Sequence, residues 1–194
     1  MDKRIERTLQ KGREAALEVL ARAGFAAFTM EAVAEASGIA KSTLYRHWPD
    51  RLALLADALE TLNRQPVAAE PLQPGALRGR AIALIEHLAG VFEESRISKV
   101  MPALIEAAER HPAVADFLHR YSAGRRQTLV DLLAEGVRLG ELDPHFDPEL
   151  GALMLSGPIF YRRFLSPAPF PKARAAELVD SVLGDVGEPG RGRS

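Results

Sequence analysis

The stretch from Ser37 to Leu55, SGIAKSTLYRHWPDRLALL, gathers the side chains with the clearest capacity for chemistry. It holds basic, hydroxyl and imidazole groups together with the single tryptophan of the chain. Between Lys41 and Arg51 three basic residues stand against one acidic residue, whereas the whole chain carries a formal net charge of −1. Lysine donates to guanine edges and hydroxyl groups donate to phosphate oxygens, so the pattern favours nucleic-acid binding. An ordinary solvent-exposed helix face is the alternative interpretation.

The surrounding pattern predicts the elements that would present these groups. Thr29 is placed to cap one short helix, and a second short helix over Lys41–His47 is ended by Trp48 and Pro49. The chain turns between them at Gly38. Two short helices joined by a glycine-containing turn are typical of a helix-turn-helix, which places its second helix in the major groove of DNA. Trp48 is expected to plug the core and hold that second helix rather than to contact DNA.

A longer segment, AALEVLARAGFAAFTMEAVAEASGIAKSTLYRHWPDRLALLADAL, resembles the N-terminal domain of the TetR (tetracycline repressor-like) family of bacterial transcriptional regulators. The shared features are the GF and T before the second helix, the A and G of the turn, STLYRHW, and the R and LL that follow. The resemblance implies an all-α homodimer. Its N-terminal three-helix helix-turn-helix domain would bind a double-stranded DNA operator, and its C-terminal helical domain would bind a small-molecule effector and dimerise.

The positions that match the family motif imply a set of DNA contacts. The resemblance implies that base edges are contacted by Lys41, Ser42 and Arg46. It implies that phosphates are contacted by Thr29, Thr43, Tyr45, His47 and Arg51. Two positions depart from the family pattern. Ala40 stands where the family often has a capping serine, which predicts a less firmly capped recognition helix. Trp48 replaces the usual phenylalanine.

Helical periodicity continues along the rest of the chain, and no stretch shows the alternation of a strand. Hydrophobic residues make up 47 % of the sequence, which is enough for a full core. Three prolines between Arg64 and Gly75 predict a boundary. The predicted parts are a helix-turn-helix DNA-binding domain over 1–50, a connecting helix over 51–65, a ligand-binding and dimerisation domain over 66–186, and a disordered tail over 187–194.

Apolar residues recur at helical spacing on both sides of this boundary. In the first helix Ala16, Val19, Leu20 and Ala23 form one stripe, and Gly24 follows as a helix end. Beyond the boundary a second stripe is predicted to face the core, formed by Met101, Leu104, Ile105 and Ala108.

One C-terminal segment, ELGALMLSGPIFYRRFL, is apolar nearly all round the predicted helix. Such a helix must be buried on more than one side, and a two-fold partner would supply the second side. The alternative is a helix at the centre of its own domain. Pro158 is expected to kink the helix because it removes one backbone hydrogen bond.

The effector pocket is expected among the helices after the boundary, because apolar helices with a few polar groups form such cavities. Helical position alone suggests His87, Met101, Phe117 and Tyr121 as lining residues. Plain core packing is the alternative for each of them.

Other chemistry finds little support in the sequence. The run DPHFDPE could suggest a metal, but a turn followed by an Asp147 N-cap explains its acids, and we expect no metal and no cofactor. There is no cysteine, no nucleophile elbow and no glycine-rich phosphate loop, so we expect no enzyme. The charged N-terminus lacks the apolar core of a signal peptide, and no apolar run is long enough to span a bilayer.

The sequence therefore predicts a cytoplasmic, dimeric, ligand-responsive transcriptional repressor that binds a pseudo-palindromic operator and is released by a small molecule. Two other classes stay open. One is a binding protein whose helix-turn-helix contacts protein, and the other is a small all-helical enzyme that uses a C-terminal pocket. Charge reversal at Lys41 and Arg51 separates the first alternative, because only DNA binding predicts a loss of phosphate contacts, and a convergent acid and base pair would be needed for the second.

Overall fold

A computed structural model describes residues 3–62, 72–94 and 97–184, and all regular elements in these ranges are helices, as the sequence predicts. The helices run in chain order as α1 (Lys3–Ala27), α2 (Met30–Ser37), α3 (Lys41–His47), α4 (Arg51–Leu62), α5 (Leu77–Glu94), α6 (Ile97–Ala108), α7 (Pro112–Arg138), α8 (Pro148–Leu165) and α9 (Ala175–Leu183), with a 3₁₀ turn at Lys172–Arg174.

By its contacts the chain divides into two compact units. Unit 1 consists of residues 1–64 and 95–121, and unit 2 consists of residues 65–94 and 122–194. The contacts thus group α6 and the start of α7 with the N-terminal helices. The domain boundaries expected from the sequence stay a prediction, and the tail predicted over 187–194 lies outside the described residues, as does most of the proline-rich boundary.

Unit 1 is built round α1, which packs against α2, α4 and α6. The stripe on α1 buries Ala16, Val19 and Leu20, but Ala23 is exposed, so that part of the prediction is wrong. The helical backbone breaks at Gly24, whose φ of 73° is a left-handed conformation that glycine adopts without strain. The predicted helix end is therefore confirmed.

The second predicted stripe, on α6, is also only partly right. Met101 and Leu104 are buried, but Ile105 is 41 % exposed. Ala107 is buried, whereas the predicted residue Ala108 is only half-buried. The buried face of α6 is thus rotated slightly from the one that spacing alone suggests. Helix α6 packs against α1, so the position of α1 determines which face of α6 is buried.

Unit 2 packs α5 against α8 and α9, and α8 against α9. Its fully buried side chains include Leu77, Ile85, Leu133 and Leu155. Helix α7 approaches closely at Gly136, where an added Cβ would lie 2.6 Å from a methyl carbon of Leu77. A glycine at this position lets a leucine from α5 fill the space next to the α7 backbone.

Helix α8 begins as predicted, with Asp147 Oδ1 accepting hydrogen bonds from the backbone N–H groups of Glu149 (2.9 Å) and Leu150 (3.2 Å). One face of the helix is buried in unit 2 through Ala152, Leu155 and Ile159. A second apolar face, the outer face of α8, is exposed; it consists of Leu150, Leu153, Met154, Phe160, Tyr161 and Leu165. Within the described residues no helix is long and apolar enough to cross a membrane.

Candidate nucleic-acid interface

The helix-turn-helix predicted from the sequence is present in unit 1. Thr29 caps α2, since its hydroxyl oxygen accepts a hydrogen bond from the backbone N–H of Ala32 at 3.1 Å. Helix α2 ends at Gly38, which has a φ of 66°. Helix α3 then spans Lys41–His47, the predicted range, and Ala40 at its start makes no side-chain capping hydrogen bond. The weak cap inferred from the departure at Ala40 is confirmed.

Helix α3 has one buried side and one open side. Leu44 is fully buried and is the one residue of the helix in the core. Thr43 and His47 are half-buried, and the open side carries Lys41, Ser42, Tyr45 and Arg46. The structure therefore brings the six predicted DNA contacts of α3 onto a single two-turn helix, with its polar groups directed away from the core.

We expect substitution of the buried anchor to unfold unit 1 rather than to change its chemistry. Leu44→Ala should destabilise the protein by about 2–5 kcal/mol, because it leaves a cavity where the side chain is fully enclosed. Ser42→Ala, on the exposed side of the same helix, should change stability by no more than about 0.5 kcal/mol. Urea unfolding followed by tryptophan fluorescence measures both, and equal effects would contradict the assigned faces.

Lys41, the predicted base contact, is engaged by two neighbours. Its ammonium group forms an ion pair with Glu31 of α2, and it lies 5.7 Å from the centre of the Tyr45 ring. The hydrogen bond in the pair raises the pKa of Lys41 and lowers the pKa of Glu31. Both side chains are well exposed, so the pair contributes little stability and a DNA acceptor can replace the carboxylate. The pairing of Lys41 with Glu31 could not be predicted from the sequence, because it depends on how α2 and α3 pack.

A surface depression of about 450 Å³ lies between α1 and α3. Three basic side chains border it, and its described lining includes no carboxylate; the lining consists of Ile5, Thr8, Lys11, Ser37, Gly38, Ile39, Thr43, Arg46 and His47. A concave surface with positive charge and hydroxyl groups suits a phosphate. Lys11 and Thr8 were not among the predicted contacts, although their spacing of three residues places them on one face of α1.

Arg51, a predicted phosphate contact, already has partners in the protein. Its Nη1 donates to the backbone carbonyl oxygens of Phe28 at 2.8 Å and Phe25 at 3.4 Å. The guanidinium carbon lies 4.2 Å from the centre of the Phe25 ring. These contacts tie the start of α4 to the last turn of α1 and to the residue that follows it, Phe28. Contact of Arg51 with a DNA phosphate stays a prediction, whereas its contacts within the protein are seen directly.

Trp48 is buried, as expected of a core plug, with 4 % of its surface exposed. Its six-membered ring packs on Gly12 of α1, where an added Cβ would lie 2.9 Å from two ring carbons. A larger residue at position 12 would therefore displace the indole. The burial of Trp48 could be predicted from the sequence. Its packing contact with Gly12 could not, because the two residues are far apart along the chain.

The four predicted effector-binding residues are divided between the units. Met101, Phe117 and Tyr121 lie in unit 1, where the rings of Phe117 and Tyr121 stack with centres 6.1 Å apart. His87 lies in unit 2, where burial and the charge of Arg125 lower its pKa. Met101 and Phe117 are buried, and the other two are half-buried. Their binding of an effector stays a prediction.

The acidic run before α8 forms the predicted turn and cap. Asp143 Oδ1 accepts a hydrogen bond from the backbone N–H of His145 at 2.8 Å, and Asp147 caps α8. Each carboxylate thus holds backbone N–H groups, as in an Asx turn.

Comparison with known proteins agrees with both halves of this architecture. The family model described as "Bacterial regulatory proteins, tetR family" matches residues 13–58, and the one described as "Tetracyclin repressor-like, C-terminal domain" matches residues 71–182. The second match alone covers more than half of the chain.

Individual relatives lead to the same family. The chain is 30 % identical over 155 residues to the helix-turn-helix transcriptional regulator YdeS of Bacillus subtilis (strain 168), covering 78 % of this chain and 76 % of that protein. It is 29 % identical over 169 residues to the DNA-binding transcriptional repressor TetR of Mycobacteroides abscessus, covering 87 % of each. The crystal structure of the TetR family transcription regulator SCO0332 superimposes with a TM-score of 0.66 at 27 % identity, covering 94 % of this chain and 99 % of that one. This chain therefore belongs to the TetR family of helix-turn-helix transcriptional regulators.

Proposed function

We propose that the protein is a cytoplasmic repressor that binds a pseudo-palindromic DNA operator as a homodimer and leaves it when a small molecule binds. The observation that carries the proposal is the open side of α3, which presents two cations, two hydroxyl groups and no acid on a buried leucine anchor. Lysine and arginine read guanine in the major groove, and serine pairs with several base edges. A relative named as a DNA-binding transcriptional repressor supports the direction of regulation.

Phosphate contacts would surround this base-reading face. Thr29 accepts one hydrogen bond as a cap, and its own O–H remains able to donate to a phosphate oxygen. Thr43, His47 and Lys11 border the depression beside α3, and the exposed Tyr45 hydroxyl lies on the same helix. These groups fix the register of the helix on the duplex but do not read its sequence.

The outer face of α8 supports the homodimer. Leu150, Leu153, Met154 and Tyr161 recur at helical spacing on this face, and each of these side chains is between 49 % and 61 % exposed. A contiguous apolar face on a helix that is otherwise packed is typical of a subunit interface. Two-fold pairing would present two recognition helices to successive major grooves, with half-sites about 34–36 Å apart.

Effector binding would change the distance between the two recognition helices of the dimer. A small molecule that binds one conformation of the C-terminal helices more tightly shifts the dimer toward that conformation, and it can shift the equilibrium only by its difference in affinity. Met101, Phe117 and Tyr121, which all lie in unit 1, are the residues that we propose for the lining, and effector binding by His87 in unit 2 is a separate prediction. Effector titrations that leave operator affinity unchanged for every compound class tried would remove this part of the proposal.

The salt dependence of DNA affinity tests the phosphate contacts directly. We expect Lys11→Ala to lower the slope of log K against log salt by about one unit, because one fewer counterion is released. Lys99→Ala is the matched control, since Lys99 is an exposed lysine of unit 1 on α6. Equal slopes for the wild type and Lys11→Ala would remove the depression from the proposed interface.

A further inference from the structure

The recognition helix α3 is held weakly by its own residues. It has seven residues, no side-chain cap at Ala40, and Leu44 as its one buried side chain. One buried side chain, Leu44, does not by itself define the orientation of a two-turn helix against the core. Helix α2 contacts α3 and pairs with Lys41 through Glu31, and the other end of α3, where the chain passes into Trp48, provides a second place at which its orientation is fixed.

Trp48 joins three helices at that end. Its backbone N–H donates to the carbonyl oxygen of Leu44 at 2.9 Å, and its indole Nε1 donates to Asp57 Oδ2 of α4 at 2.8 Å. Arg13 Nε of α1 donates to the same carboxylate oxygen at 2.9 Å. The indole ring also rests on Gly12. The end of α3 is thus fastened to α4 by a charge-assisted hydrogen bond and to α1 by packing.

We propose that Asp57 is a positioning residue for DNA recognition, which sets the orientation of α3 through the Trp48 indole and ties it to α1 through Arg13. The proposal rests on the proposed function. A phenylalanine at position 48 would fill much of the same space, but it could not donate to the carboxylate. The fastening therefore depends on the particular combination of Gly12, Trp48 and Asp57 in this chain.

A purely electrostatic role and a positioning role for Asp57 predict opposite changes in operator affinity when the residue is replaced, so the proposal can be tested. Asp57 is an anion in a unit that must approach a polyanion, so loss of its charge alone should tighten binding to every duplex. If Asp57 positions α3, its loss should instead weaken binding to the selected operator while binding to unrelated duplex is unchanged or tighter. The ratio of the two affinities separates a positioning role from a general electrostatic one.

The experiment compares full-length wild type with Trp48→Phe, Asp57→Ala and the double variant. Each protein is titrated with its selected operator and with an unrelated duplex of equal length, over a series of salt concentrations. Trp48→Phe should weaken operator binding about fivefold, with the salt slope unchanged because no phosphate contact is lost. Asp57→Ala should weaken operator binding by a similar factor. The effect of Asp57→Ala should largely disappear in the Trp48→Phe background, because the two residues form one bond.

Glu18→Ala is the control for the lost carboxylate, since Glu18 is an exposed acid of α1. It should not lower the ratio of operator to unrelated affinity. Asp57→Ala leaves the indole in the core, so it keeps the test valid if Trp48→Phe unfolds. Unchanged operator affinity in both single variants, or equal tightening on both duplexes in Asp57→Ala, would overturn the positioning role. A wild-type protein that selects no operator would overturn the proposed function and this inference together.

Discussion

The double variant Lys41→Glu and Arg46→Glu should lose operator binding by at least about hundredfold, while its fold and its thermal stability stay close to those of the wild type. Both side chains lie on the open side of α3, so their replacement removes no core contact. Each reversal removes a donor for base edges and places an anion against the groove. Lys41→Glu also places a carboxylate beside Glu31, which adds repulsion within the protein.

The control for this variant has the same change in net charge, placed on helices other than α3. Lys99→Glu and Arg120→Glu reverse two exposed cations of unit 1, on α6 and α7. Fluorescence anisotropy with a labelled operator measures both affinities at one fixed salt concentration. If the two double variants lose affinity equally, the effect is one of overall charge, and the assignment of α3 as the reading helix fails. If neither loses affinity, a protein-contact role for the helix-turn-helix is favoured.

The second large effect is expected on the outer face of α8. Leu153→Asp and Met154→Asp together should convert the proposed dimer to a monomer, because each carboxylate would have to be buried without a partner in the interface. Both side chains are 49 % exposed in the single chain, so the monomer should remain folded. Operator affinity should fall by about hundredfold or more, since a monomer loses the second half-site.

Sedimentation equilibrium gives the molar mass of this variant, and circular dichroism gives its helix content. Ala83→Asp serves as the control, because it adds a carboxylate at an exposed position of α5 in the same unit. The control should remain a dimer with normal operator affinity. A dimer that survives Leu153→Asp and Met154→Asp would show that the subunits associate elsewhere and that the outer face of α8 has another partner.

The features that the sequence predicted correctly are those set by neighbours along the chain. Thr29 and Asp147 are predictable N-caps, since a cap is formed by a side chain and an amide two or three residues later. Gly24 and Gly38 were recognised as helix ends because few other residues adopt a positive φ. The bounds of α3 follow from the same local rules, with Trp48 and Pro49 at its end.

The features that it missed require knowledge of which helices meet. Helical spacing places Ala23 and Ile105 in the core, but the partner helices bury a slightly different face of α1 and α6. Asp57 carries no signal in the sequence near it, because its two donors come from positions 13 and 48. No periodicity within one helix contains this information, because each contact joins segments that are remote in the sequence.

The candidate site shows the same division. The polar residues of α3 could be predicted because a short helix with one buried leucine leaves its other side chains exposed or half-buried. Arg51 could not be predicted in detail, since its guanidinium is engaged by Phe25 and Phe28 from the segment before α2. Lys11 was missed because its proximity to His47 and Arg46 arises only when α1 packs across the helix-turn-helix.

Selection of the purified full-length protein against random duplex DNA at near-physiological salt tests the central claim most directly. Sequence-specific binding by a two-fold dimer predicts an enriched inverted repeat with half-sites about one helical turn apart. Lys41→Glu and Arg46→Glu should enrich nothing under the same conditions. Salt-sensitive binding of the wild type with no enriched sequence would contradict the claim, because it would leave only a basic patch on α3 and no reading of bases.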